Sequence, residues 1–276
     1  MRKIRDNYRW SRIACIILAL TVLSCSSVVF TGRNRLLLYS DREIASLSAQ
    51  SYSDFMSTAS PSTNTYQTAM IREVGRRLES ALNRYLSSKG ETGVLNGISW
   101  EYNLVRSSQA NAFCLPNGKV VFYEGIMPVL TTPDLVAVVM AHEMGHALAR
   151  HGNERMTQQA LTNIVGSVTG QIIEQRTSEY GRALFESAFS VGSQYGYLLP
   201  YSRKHEYEAD EIGLYIMAIA GYDINQAPLL WKRMAEAEKQ QIPEHLSTHP
   251  SDVNRIRHLQ KLLPKAARYA EEMKGR

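Results

Sequence analysis

Residues 133–150 read PDLVAVVMAHEMGHALAR. Apolar and small residues run through this stretch on every side of a helical turn, and the polar set His142, Glu143 and His146 sits inside it. Thr131-Thr132-Pro133-Asp134 supplies a hydroxyl cap and a proline for the first helical position, so a helix is expected from there to about Arg150. Positions 142 and 146 are one turn apart and face the same way. Both imidazoles can then reach one zinc ion, and Glu143 lies beside them, where it can take a proton from a metal-activated water. Charges and histidines buried among apolar neighbours need a partner or a metal. The competing reading is a helix with two satisfied core histidines and a capping-type glutamate. Gly145 in mid-helix costs about 1 kcal/mol relative to alanine, which suggests close approach of another segment.

A catalytic zinc takes a third protein ligand and keeps one open position. A third histidine six residues after the second would fall at Gly152; His151 is one residue early and is expected outside the first coordination shell. A glutamate from a later helix is the other arrangement, and SRKHEYEAD (202–210) offers it. Glu206 and Asp210 are four apart on one helical face. Glu206 can bind the metal, and Asp210 can accept the distal N–H of a ligand histidine and fix its ring. The alternative for this segment is a solvated acidic face, which suits Glu208.

Around these stretches the chain reads as mostly helical. Helices are expected from Ile44 (capped by Ser40 or Asp41), over 65–88, over 204–220 stopping at Gly221, over 225–240 and over 252–273. The pattern in 65–88 rests on Ile71, Val74, Leu78, Leu82 and Leu86. Two strands, 100–105 and 119–123, are joined by NAFCLPNG (111–118), whose Asn-Gly marks a tight turn. Residues 153–200 are less regular. Leu161, Ile164 and Val168 suggest a helix there, with Gly166 and Gly170 permitting close packing, so a helical insert or lid is expected.

The start of the chain has a separate character. Residues 1–12 carry Arg2, Lys3, Arg5, Arg9 and Arg12 against Asp6, a net of +4 out of +5 for all 276 residues, leaving +1 for the remainder. A near-neutral body offers no broad phosphate-binding field, so nucleic acid is not an expected partner. The apolar run IACIILALTVL (13–23) then leads to Ser24-Cys25-Ser26-Ser27, a signal-peptide pattern. VLSC (22–25) resembles a bacterial lipobox, which implies lipidation of Cys25. Ser26 after it implies the periplasmic side of the outer membrane rather than the inner one. An uncleaved inner-membrane signal anchor is the lesser alternative, since the uncharged stretch from 13 to 30 is just long enough to span. Cys15 would leave with the signal, so Cys114 stands alone and no disulfide framework exists. It is expected to be a small buried residue, with a Cys–His protease as a weak alternative.

Five segments together resemble a known family: Thr31-Gly32-Arg33, NAFCLPNGKVVFYEGIMPVL (111–130), AHEMGHALARHGNER (141–155), SRKHEYEADEIG (202–213) and STHPSDVNRI (247–256). They are similar to the zinc metallopeptidases that include HtpX and the CAAX prenyl endopeptidases, above all to the periplasmic lipoprotein branch and the Oma-type proteases. Cys114 stands where those relatives usually have alanine. The resemblance implies an α+β, mostly helical zincin-like fold with a small β-sheet whose edge strand lines the active site. It implies one zinc per chain on His142, His146 and Glu206, Glu143 as general base, and Asp210 behind the ligands. His249 lies where relatives have a residue that approaches the metal or the oxyanion, and would either assist or hold the enzyme latent. Arg255 would secure its segment or carry substrate charge. Asn111 and the strand with Lys119, Val120 and Val121 would form the edge that pairs with an extended substrate. The expected organisation is a signal peptide (1–24), a lipidated linker with the first helix (25–60), a metallopeptidase domain (61–265, with the insert at 153–200) and a helix end (266–276). The expected activity is zinc-dependent endopeptidase action on unfolded or misassembled cell-envelope proteins, a quality-control role. The alternative is an envelope chaperone or assembly factor with a rarely used protease site, working with an assembly partner.

Overall fold

A computed structural model describes residues 25–166, 178–189, 202–238 and 253–274. A short hairpin comes first: β1 (Cys25–Ser27) pairs antiparallel with β2 (Asn34–Leu36). Phe30 and Gly32 both take positive φ in the turn between them. Helix α1 (Asp41–Thr58) opens on a complete capping box, in which the Ser40 hydroxyl accepts from the Glu43 amide and the Glu43 carboxylate accepts from the Ser40 amide. Helix α2 (Thr65–Lys89) buries the stripe Ile71, Val74, Leu78, Leu82 and Leu86 and stops at Gly90, which adopts the left-handed conformation.

The sheet has three strands rather than the expected two. Their order is β3 (Glu101–Val105), β5 (Lys119–Tyr123), β4 (Ala112–Cys114), with β5 parallel to β3 and antiparallel to β4. The connection 111–118 thus holds a strand of its own. Its pleat sorts side chains to two faces. Ala112, Cys114, Val120 and Phe122 join the larger core with α2, while Phe113, Val121 and Tyr123 join a smaller core with Ile44 and Phe55 of α1.

Helix α3 (Pro133–Leu148) starts at the Thr132 cap with proline at the first position and is buried from Leu135 to Leu148. It ends two residues before Arg150, which has φ 58°. Helix α4 (His151–Gly166) and α5 (Ser178–Phe189) occupy the described part of the expected insert. Leu184 and Phe185 of α5 and Met156 and Ala160 of α4 are packed into the smaller core. Helix α6 (Arg203–Ala220) is capped by Ser202 and closed by left-handed Gly221. Helices α7 (Gln226–Glu238) and α8 (Val253–Lys274) complete the larger core through Leu230, Trp231 and Leu259. Val168, Gly170 and His249 lie outside the described residues. Among the described residues no helix is long and apolar enough to cross a membrane.

Candidate metal centre

The site is built where α3 and α6 nearly touch backbone to backbone. A Cβ on Gly145 would stand 2.8 Å from the carbonyl oxygen of Ala209, and one on Gly213 would stand 2.9 Å from the amide nitrogen of His142. Only glycine permits that approach at both crossings, which accounts for a helix-weakening residue inside the α3 motif. The close crossing brings Glu206, on the first turn of α6, against the two histidines of α3.

His142 Nε2 and His146 Nε2 are 3.1 Å apart. Glu206 Oε2 is 3.5 Å from the first and Glu206 Oε1 3.4 Å from the second. A tetrahedral ion with bonds of about 2.0–2.1 Å holds its donors about 3.3 Å apart, so these three residues fit a single zinc. They are the one His/Cys/Asp/Glu group among the described residues whose donor atoms converge within 4.8 Å. All three are at most 3% exposed, and a buried carboxylate against two imidazoles is a natural cation site.

The outer side of each histidine is held differently. His142 Nδ1 lies 2.9 Å from Asp210 Oδ1. Asp210 in turn takes a bidentate pair from Arg255, with Nε at 2.8 Å and Nη2 at 2.7 Å. The third Arg255 nitrogen, Nη1, lies 2.8 Å from Glu206 Oε2. The guanidinium stacks 4.0 Å over the Trp231 ring, whose edge also meets His142. Burial opposes the charge on Asp210, but Arg255 and His142 outweigh it and hold the carboxyl below its ordinary range. Burial likewise opposes charge on His142, yet Asp210 and Glu206 lift it to about 9 in the metal-free protein.

His146 has the opposite balance. Burial, assisted by His142 and His151, pushes it well below the ordinary range despite Glu206. Its Nδ1 lies 2.9 Å from His151 Nδ1, and His151 Nε2 lies 2.9 Å from Glu208 Oε2. Glu208 also accepts from the Thr31 hydroxyl at 2.6 Å and from Arg33 Nε at 2.7 Å. The solvated role expected of Glu208 is therefore wrong: it is 6% exposed and carries three partners. The reason is tertiary cover: two residues beyond Glu206 the side chain points to the opposite side of the helix, and that side is packed against His151 of α4 and Thr31 and Arg33 of the hairpin turn.

Glu143 is buried beside the ligands, and the Cys114 amide donates to its Oε2 at 3.1 Å. The Cys114 thiol is pushed well above its usual range by burial and by the Glu143 charge, which removes the thiolate that a Cys–His protease needs.

One substrate assignment changes. Lys119, Val120 and Val121 lie on the central strand, bonded on both sides, so they offer no free edge. Lys119 instead reaches Ser99 O at 3.0 Å and Glu101 at 3.3 Å. Among the described residues the free edge next to Glu143 belongs to β4. Asn111 sits at its start, with its Oδ1 accepting from the Ala112 amide at 2.9 Å and its backbone oxygen accepting from Tyr123. Arg255 is 1% exposed, and its nitrogens lie on Asp210 and Glu206. Trp231, Thr31, Arg33 and the His151–Glu208 pair carry parts of the site that motif spacing did not assign. Thr31, Arg33, His151 and Glu208 all lie in segments that carried the resemblance, but with no role at the metal attached, and Trp231 lies in none of them.

Residues 72–263, well over half the chain, match peptidase family M48. The chain belongs to that family. Among M48 relatives it is 40% identical over 174 residues to the mitochondrial metalloendopeptidase OMA1 of Schizosaccharomyces pombe, covering 62% of this chain and 49% of that protein. It is 29% identical over 249 residues to the mitochondrial metalloendopeptidase OMA1 of Homo sapiens, covering 87% of this chain and 46% of that one. It is also 29% identical over 184 residues to the beta-barrel assembly-enhancing protease of Yersinia pestis, covering 63% and 37%. The chain spans about half the length, or less, of these M48 proteins.

Proposed function

We propose that this M48 protein is a zinc-dependent endopeptidase that cuts unfolded or misassembled proteins of the bacterial cell envelope. The observation that carries this reading is the buried convergence of His142, His146 and Glu206 with Glu143 alongside. When bound, zinc would supply a Lewis acid that acidifies water and polarises a carbonyl. Every other step belongs to the chain. Glu143, steadied by the Cys114 amide, takes the proton of the attacking water and passes it to the leaving amine. Asp210 keeps the Nδ1 proton of His142 in place, so Nε2 faces the metal as a lone pair.

The substrate enters as an added strand on β4. In the antiparallel pairing, Asn111, Phe113 and Leu115 turn their backbone groups toward β5, so Ala112 and Cys114 turn theirs to the open side. The Cys114 amide already points at Glu143, so a peptide on this edge runs its carbonyls past the base. Strand addition requires an unpaired segment, which favours unfolded substrates and disfavours folded ones. Lipidation of Cys25 and attachment to the periplasmic face of the outer membrane follow from the basic start, the apolar run and VLSC. The Yersinia pestis relative, named for β-barrel assembly, supports an envelope setting.

The test is cleavage of casein by the zinc-loaded chain beside a Glu143→Gln form of equal metal content. Cutting by the intact form alone is the expected result. Zinc-loaded protein that leaves casein whole argues for a holding role instead. Intact mass of membrane-extracted protein checks the anchor: an unprocessed Met1 without acyl mass sinks the lipoprotein assignment.

A further inference from the structure

We infer that His151, Glu208, Thr31 and Arg33 form a positioning chain behind ligand His146, so that the amino-terminal hairpin turn is a working part of the metal centre. The inference rests on the zinc reading above and extends it to residues outside the ligand set.

The hydrogen-bond chemistry allows one arrangement. His146 presents Nε2 to Glu206 and His142, so as a neutral metal ligand it carries its proton on Nδ1. That proton points at His151 Nδ1, 2.9 Å away, which must therefore be the acceptor. The proton of His151 is then on Nε2 and is donated to Glu208 Oε2 at 2.9 Å. Glu208 stays an acceptor because Thr31 and Arg33 donate to it at 2.6 and 2.7 Å. Each link sets the tautomer of the one before it, and the chain ends on a guanidinium that is always charged.

A second branch fixes the ring planes. Arg33 also grips Glu154 with two nitrogens, each at 2.8 Å. Glu154 reaches His205 Nε2 at 3.3 Å, and the His205 ring stacks on His151 at 4.3 Å with 25° between planes. His205 immediately precedes ligand Glu206. A single arginine from the turn between β1 and β2 thus braces both the helix that carries His151 and the first turn of the helix that supplies the third ligand. The turn is itself held by two backbone bonds, Val28 N to Arg33 O and Gly32 N to Val28 O. A buried ion pair that served only to close the fold would need neither histidine at 2.9 Å from a ligand nor the shared proton direction.

The experiment measures zinc affinity of the full chain by competition with a chromophoric chelator, together with the visible spectrum of the cobalt-substituted protein, which reports ligand geometry. His151→Phe removes the acceptor and is expected to weaken zinc binding about 10–100-fold, the range for losing a hydrogen-bond partner behind a metal ligand, and to shift the cobalt bands. His151→Asn keeps an oxygen near the Nδ1 position but loses the reach to Glu208, so it restores part of the affinity. Glu208→Gln and Arg33→Met give smaller losses in the same direction. The His151→Asn and Glu208→Gln effects sum to more than their double variant shows, because both cut one chain. Wild-type affinity and wild-type cobalt bands in folded His151→Phe overturn the inference. If that variant does not fold, unchanged affinity and bands in both His151→Asn and Glu208→Gln overturn it. A wild-type chain that binds no zinc overturns the metal reading itself, a different outcome from variants that bind as tightly as wild type.

Discussion

The two ligand histidines of α3 are one helical turn apart, equally buried, and held from behind by different means. His142 leans on a carboxylate four residues from the third ligand, and one arginine ties both carboxylates together. His146 leans on another histidine and only through it on a carboxylate, an arginine and a threonine from the far end of the chain. The first support is compact and carries opposite charges in direct contact. The second is longer, and its member nearest the metal is neutral: burial pushes His151 down to about 4. Direct charge makes the first support the stronger, and cutting it should cost more at every step.

The largest effect is expected from Arg255→Ala. It leaves Asp210 and Glu206 buried and without their shared cation, and breaking a buried pair in this way costs about 3–5 kcal/mol. Denaturant unfolding of the metal-free protein reads this directly. An unchanged unfolding midpoint with a raised KM would mean that Arg255 serves substrate after all. Next comes Asp210→Asn, which keeps the shape but turns an ionic acceptor into a neutral one. Zinc affinity should drop about 10–100-fold, and by more than in Glu208→Gln measured side by side. Equal losses would erase the distinction between the two supports.

Both supports depend on the α3–α6 crossing. Gly213→Ala forces a Cβ into backbone atoms of Ala141 and His142 about 3 Å away. Neither neighbour is a flexible side chain, so the helices must separate, at an expected cost of about 1–3 kcal/mol. Thermal unfolding with and without zinc measures it, and the zinc-bound form should lose more, because separation moves Glu206 away from both histidines.

Acid acts on the carboxylates of both supports, and a substitution at Glu154 isolates the distal branch. Burial would raise the Glu154 carboxyl, but hydrogen bonds from His205 and Arg33 outweigh it and hold the group well below the ordinary range. A depressed carboxyl adds stability above its unfolded value near about 4.3, and that contribution is lost as the pH falls toward the folded value. Metal-free wild type should therefore lose more stability between pH 5.5 and pH 3, two settings chosen to bracket that value, than Glu154→Gln does. Parallel loss in both proteins would mean that Glu154 contributes nothing to acid sensitivity.

What the sequence made legible follows from distance along the chain. His142, Glu143 and His146 lie within one turn, and Glu206 and Asp210 repeat the same four-residue spacing, so helix geometry alone assembles each half. Cap chemistry at Ser40 and Thr132 and the glycine stop at 221 were similarly local. Strand β4 was hidden because three residues hold no alternation to read, and its neighbours Pro116, Asn117 and Gly118 speak of a turn. Glu208 was hidden because its partner Arg33 is 175 positions away and because an acidic run looks solvated until the helix is turned. Arg255 was assigned to the right segment, but its target depended on how α8 packs over α6, which no local pattern encodes.

The smallest effect concerns Cys114, where side chain and backbone separate cleanly. The side chain is buried with its Sγ donating to Leu115 O at 3.3 Å, and its thiol is held neutral. The backbone amide is what reaches Glu143. Cys114→Ala keeps that amide, so kcat/KM should hardly change, and stability should fall by about 1 kcal/mol, the central value for single substitutions. Iodoacetamide should label the native protein far more slowly than the unfolded chain. Rapid native labelling with loss of cleavage would mean that the thiol, not the amide beside it, works at the base. Cys114→Pro probes the other half: it removes the N–H that reaches Glu143 and puts a ring carbon in its place, so the Glu143 carboxylate must shift. It should lower kcat while leaving zinc affinity intact, since none of the three ligands bonds to that amide.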